Sequence, residues 1–119
     1  MLGKPVPLVV LGRGSNVVFS DRGYEGLVLK LAGQFNEINI EGDVVSAGGA
    51  VSLPRLARTA AAAGRGGLEW YVGIPGSVGG ALRMNAGGHG SDTGEWLIDA
   101  EVMDATDATI STRDVGALD

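Results

Sequence analysis

An α+β domain is what the order of patterns along the chain predicts. Short apolar, β-branched runs open and close the chain, and a single stretch with helical spacing lies between them. The segment after that stretch is rich in glycine and does not repeat a strand–helix–strand unit. The expected architecture is one domain of short strands in a mixed sheet, with one main helix over 52–63. A length of 119 residues with 45% apolar content suffices for a single core. Aromatic residues make up only 5%, so that core must be built from Val, Leu, Ile and Ala.

The elements follow in order. Val6–Leu11 is a mostly apolar run after Pro5 that ends at Gly12, the pattern of a buried strand. Val17–Phe19 and Leu27–Leu31 read as further strands around the turn-rich Ser20–Gly26. Phe35–Ile40 places Phe35, Ile38 and Ile40 in an extended run, and Val44–Ala47 pairs with it across Glu41-Gly42-Asp43 as a hairpin. In Ser52–Ala63, Leu53, Leu56, Ala57, Ala60 and Ala61 fall on one helical face. Ser52 caps the start, Pro54 is tolerated in the first turn, Gly64 closes the end, and Val51 is placed to staple against Leu56. Trp96–Asp104 and Thr109–Thr112 read as a last strand pair.

Charge and composition exclude several classes. The formal charge of −5 leaves no basic stripe for nucleic acid, and the absence of cysteine removes disulfides and thiolate metal sites. No apolar run approaches the roughly 18 residues of a membrane span, and no signal peptide is legible. The chain reads as soluble and cytoplasmic, with no metal site.

Glycine is the outlier, 21 of 119 residues, where about 7% is usual. Three glycine segments are placed to approach a ligand. Gly12-Arg13-Gly14-Ser15-Asn16 follows a strand, and consecutive N–H groups in such a turn form a nest for phosphate. It is not a Rossmann fingerprint, because Val17 stands where the third glycine belongs and strand rather than helix follows. Alone, it reads equally well as an ordinary tight turn. Gly73-Ile74-Pro75-Gly76-Ser77-Val78-Gly79-Gly80-Ala81 calls for a positive φ at Gly76, with Ser77 capping a helical turn through Ala81–Met84 whose N-terminus offers an anion site. Its alternative is a hinge without a ligand. Met84-Asn85-Ala86-Gly87-Gly88-His89-Gly90 lets a flat ring lie against backbone, with Asn85 as an amide contact. His89 is the sole histidine and reads more readily as structural than catalytic. Glu69-Trp70-Tyr71 reads as loop packing, and Asp92 with Glu95 as a solvated face or the start of a turn.

In this order and spacing, Val10–Asn16, Gly48-Gly49-Ala50, Gly67-Leu68-Glu69, Gly73–Ala81 and Met84–Gly90 resemble the UDP-N-acetylenolpyruvoylglucosamine reductases, also called UDP-N-acetylmuramate dehydrogenases, over nearly the whole chain. The resemblance implies an FAD-binding domain of the p-cresol methylhydroxylase type. It implies that Gly12, Arg13, Gly14, Ser15 and Asn16 hold the FAD pyrophosphate. Gly73, Ile74, Pro75, Gly76, Ser77, Val78, Gly79 and Gly80 would line the flavin and its phosphates, and Asn85, Ala86, Gly87 and His89 would continue that wall.

The implied reaction is reduction of UDP-N-acetylglucosamine enolpyruvate to UDP-N-acetylmuramate by NADPH through FAD, in peptidoglycan synthesis. The family's leading strand–helix segment, its Tyr-Arg pair, its proton-donating serine and its late glutamate have no counterpart in residues 1–119. The chain is therefore expected to be a partial domain, inactive alone and without catalytic residues of its own. Ser15 and Ser77 fall at cofactor-loop positions, so neither is expected to deliver a proton. Another flavin oxidoreductase of the same superfamily, or a cofactor-free module of the same fold, remains open.

Overall fold

Leu53–Ala62 forms the main helix, α1, for local reasons. The Ser52 side chain accepts from the Arg55 N–H, and Pro54 sits in the first turn, where its missing N–H costs nothing. At the other end Gly64 takes φ 78°, Gly64 N–H donates to Ala61 O at 2.9 Å, and Arg65 N–H donates to Ala60 O at 2.8 Å. Those two bonds make a Schellman closure. Leu53, Leu56, Ala57 and Ala60 are buried, whereas Ala61, expected on the same face, is exposed at the rim.

The structure is a computed structural model, and it describes residues 8–10, 27–88, 90–103 and 109–114. β1 (Leu8–Val10) pairs in parallel with β2 (Leu27–Leu29). The strand expected at Val17–Phe19 lies outside the described residues. β3 (Ile38–Glu41) and β4 (Val44–Ala47) form the expected hairpin. Its two-residue turn has Gly42 at φ 59°, the positive first position that suits the twist of the strands. The pairs Ile38↔Ala47 and Ile40↔Val45 share the half-buried face, from which Ile38, Val45 and Ala47 pack against the core. Both parallel and antiparallel pairing occur, in two-stranded sheets among the described residues.

The expected strand Leu27–Leu31 ends at Leu29 and the expected Thr109–Thr112 runs over Ile110–Asp114, and two further boundaries differ more. Phe35 belongs to a 3₁₀ turn, Gly33–Asn36, and its side chain is exposed. The spacing from Phe35 to Ile38 is odd, so the two could never share one face of a strand. The turned backbone instead offers the Phe35 carbonyl to Ala50 N–H at 2.9 Å. Trp96 ends a short helix, α3 (Thr93–Trp96), because the Asp92 side chain caps it by accepting from Glu95 N–H at 3.1 Å. The last pair therefore begins later, with β7 (Asp99–Met103) against β8 (Ile110–Asp114). Between these elements lie α2 (Val78–Met84) and a minimal hairpin of β5 (Gly87–Gly88) and β6 (Ser91–Asp92).

The core joins α1 to the glycine-rich segments. Val51, Leu53, Leu56, Ala57, Tyr71 and Ala81 form one buried cluster, so the expected staple pair of Val51 and Leu56 lies within it. Burying Val51, Leu53 and Leu56 stabilises by about 1.5–3 kcal/mol each. Trp70 stacks beside Tyr71 with centroids 4.1 Å apart, and its buried Nε1 has no acceptor among the described residues.

Candidate functional site

The segment 73–81 is stitched to the start of α1 by backbone. Leu53 N–H donates to Gly76 O at 3.0 Å and Val78 N–H donates to Val51 O at 2.8 Å, which makes Ser52 and Ser77 an antiparallel bridge. Gly79 N–H then donates to Gly49 O at 2.9 Å. The approach leaves little room for side chains. A Cβ on Gly79 would stand 3.1 Å from Gly49 O, and one on Gly49 would stand 3.0 Å from Leu31 Cδ1. Gly76 adopts φ 126°, the positive value expected after Pro75.

Ser77 caps a longer helix than expected: α2 already begins at Val78 and includes Gly79 and Gly80. Its first-turn donors are used internally. Val78 and Gly79 bond to Val51 and Gly49, Gly80 N–H reaches Ser77 Oγ at 3.2 Å, and Ala81 N–H reaches Ser77 O at 2.8 Å. Donors left without an acceptor among the described residues include the N–H groups of Gly49, Ser52, Gly76 and Ser77. In an unbonded bridge position such as Ser77, N–H points away from the partner strand. Any anion held here meets the loop before the helix, not the helix N-terminus.

The second wall starts where α2 ends. Asn85 adopts the left-handed conformation, φ 47°, and its Oδ1 accepts from Gly94 N–H at 2.8 Å. Ala86 N–H donates to Ala81 O at 3.0 Å, and Ala86 O accepts from Thr93 N–H at 2.9 Å and from Thr93 Oγ1 at 2.9 Å. Tyr71 Oη lies 2.6 Å from Thr93 Oγ1 in a buried contact. Gly88 packs on Ile74, whose Cδ1 would stand 3.2 Å from an added Cβ. That contact joins the two glycine walls.

Electrostatics are quiet. Burial pushes the Tyr71 phenol above its ordinary value, the Thr93 hydrogen bond opposes this, and the Asp92 charge adds to it. The Glu69 carboxylate is held below its ordinary value by its own backbone N–H and that of Gly67. Among the described residues no group of three or more His, Asp or Glu could hold a metal, and no helix is long and apolar enough to cross a membrane.

Of the predicted site residues, Gly73, Ile74, Pro75, Gly76, Ser77, Val78, Gly79 and Gly80 lie on the first wall and Asn85, Ala86 and Gly87 on the second. Gly12, Arg13, Gly14, Ser15, Asn16 and His89 lie outside the described residues. Sequence reasoning missed Thr93 and gave Tyr71 only a packing role. Neither has a glycine or charge signal, and a Thr–Tyr pair far apart in sequence has no readable spacing.

Glycine walls whose backbones approach without side chains, on an α+β frame, define a domain built to hold a flat, phosphate-bearing cofactor. A family model described as FAD binding domain matches residues 3–113, and the chain belongs to that family. It is 45% identical over 116 residues to the UDP-N-acetylenolpyruvoylglucosamine reductase of Nitrobacter hamburgensis, covering 97% of this chain and 38% of the relative. It is 47% identical over 98 residues to the enzyme of the same name from Bacillus subtilis, covering 82% and 32%. The crystal structure of UDP-N-acetylenolpyruvylglucosamine reductase from Thermus caldophilus superposes with a TM-score of 0.82 at 37% identity, over 93% of this chain and 40% of that one. The chain thus spans about two fifths or less of the proteins it matches.

The described residues fit FAD. Unengaged backbone donors at Gly49, Gly76 and Ser77 and a side-chain-free approach between Gly49 and Gly79 suit a ligand that bears phosphate and a planar ring.

Proposed function

We propose that this chain is the FAD-binding portion of a UDP-N-acetylenolpyruvoylglucosamine reductase, a cytoplasmic enzyme of peptidoglycan synthesis and hence of cell-wall biogenesis, cell shape and division. The observation that carries the reading is the interlock of Gly49 with Gly79, which keeps side chains out of the site while leaving loop N–H groups unengaged.

FAD held here would supply the redox chemistry by which NADPH reduces the enolpyruvyl double bond of the UDP-sugar. The chain's own part is binding and orientation. The N–H groups of Gly49, Gly76 and Ser77 are the donors available to an anionic or carbonyl oxygen, and Gly12–Asn16 is the segment assigned to the pyrophosphate. The Asn85–Gly87 backbone bounds the ring side. We assign no hydride-donating or proton-donating role to any residue of this chain.

The test is an absorbance spectrum of the purified chain after incubation with FAD and desalting. Retained flavin bands with quenched fluorescence, both lost in Gly76→Val, are expected. A folded chain that keeps no flavin overturns the reading and favours a cofactor-free module of the same fold.

A further inference from the structure

The hydroxyl contacts behind the second wall have a fixed direction. A carbonyl can only accept, so Thr93 must spend its one hydroxyl proton on Ala86 O, 2.9 Å away. Tyr71 must therefore be the donor across the 2.6 Å contact to Thr93 Oγ1. Ala86 O also accepts from Thr93 N–H, which engages both of its lone pairs on the protein side. Ala86 N–H is held by Ala81 O. The residue is fixed at both of its peptide groups.

A locked Ala86 carbonyl has a consequence one atom further along. A trans peptide is planar, so the Gly87 N–H points opposite to that carbonyl, away from Thr93. The ladder agrees. Ala86 and Thr93 occupy a hydrogen-bonded position, so the next pair, Gly87↔Asp92, occupies an unbonded one, and its N–H groups face outward. Gly87 is exposed, and its N–H has no acceptor among the described residues.

We infer that Tyr71 and Thr93 are positioning residues of the cofactor site: through the Ala86 carbonyl they aim the Gly87 N–H outward as a hydrogen-bond donor to bound FAD. The inference rests on the FAD reading above and deepens it, because it converts a wall of small residues into a directed contact. Neither hydroxyl touches the cofactor. Their effect passes through one peptide plane.

Thr93→Val keeps the shape of the side chain and removes the hydroxyl, and Thr93→Ser restores the hydroxyl. FAD affinity, read by quenching of flavin fluorescence, and the position of the long-wavelength flavin band are measured on the purified chain. Thr93→Val is expected to weaken FAD binding about tenfold and to shift the band, while Thr93→Ser stays within about twofold of the parent. Unchanged affinity and spectrum in a folded Thr93→Val chain overturn the inference while leaving FAD binding intact. Failure of the parent chain itself to bind FAD removes the reading on which the inference stands. If Thr93→Val does not fold, Tyr71→Phe decides by the same two readouts, with a loss of about threefold expected.

Discussion

Residues 73–81 are tied to the core by backbone atoms, whereas residues 85–88 add to their backbone bonds a chain of hydroxyls that runs from Tyr71 through Thr93 to the Ala86 carbonyl. The first attachment favours glycine, because a Cβ on Gly79 would stand 3.1 Å from Gly49 O. The second needs two hydroxyls and one carbonyl. A backbone seam tolerates almost no change in volume but is indifferent to polarity. A hydroxyl chain tolerates changes in shape but fails when one proton is removed. The two walls should therefore break under opposite kinds of substitution.

The largest expected effect comes from adding volume beside the seam, where Gly48 meets the Phe35 turn. In Gly48→Ala the new Cβ would meet the Phe35 backbone, whose carbonyl accepts from Ala50 and whose turn brings Glu37 O to Gly48 N–H at 3.0 Å. Backbone cannot rotate aside as a side chain does, so about 3 kcal/mol or more should be lost, visible as a lower urea midpoint. A Gly48→Ala chain as stable as the parent would mean that the Phe35 turn beside the seam gives way more easily than its hydrogen bonds indicate.

Tyr71→Phe breaks the second wall without changing volume, at a cost of about 1–1.5 kcal/mol. It also carries a pH signature. Burial raises the Tyr71 pKa in the folded state, so the folded chain holds this proton after the unfolded chain has lost it. Stability from this group is fully present below the ordinary tyrosine pKa and is lost as pH rises through the folded value. The parent should lose stability in alkali more steeply than Tyr71→Phe, and parallel pH–stability curves would show that the phenol is not the responsible group.

The smallest effect sharpens the comparison within the first wall. Ser77→Ala removes the cap on Gly80 N–H but leaves the backbone bridge to Ser52 intact. A loss of about 1 kcal/mol in thermal unfolding is expected. A much larger loss would show that the seam relies on the serine side chain as well as on backbone.

The same contrast explains what the sequence made legible. Glycine clusters, Pro75-Gly76 and the Ser52 cap announce themselves because each requires a particular residue type for a local reason. The hairpin over Gly42 and the face of α1 are legible for the same cause. Phe35 and Trp96 read as strand because local hydrophobicity resembles strand, while the Phe35 carbonyl accepts from the distant Ala50 N–H and Trp96 ends the helix that Asp92 caps. Thr93 left no trace, since its partners are Tyr71 and Ala86 and only the fold brings them together.

Ser52 heads the main helix and also bridges to Ser77, far along the chain. The closure that joins them costs loop entropy, which grows only slowly with loop length. Because the bonds on either side of that bridge run from Leu53 to Gly76 and from Val78 to Val51, the loop cannot lift away alone. A fluctuation wide enough to free Val78 must also unseat the first residue of the helix and expose Val51, which is fully buried. The ligand edge and the hydrophobic centre thus open as one cooperative unit rather than as a lid on a hinge. An incoming cofactor meets a backbone edge that is already held by hydrogen bonds, which limits the ordering entropy to be lost at that edge.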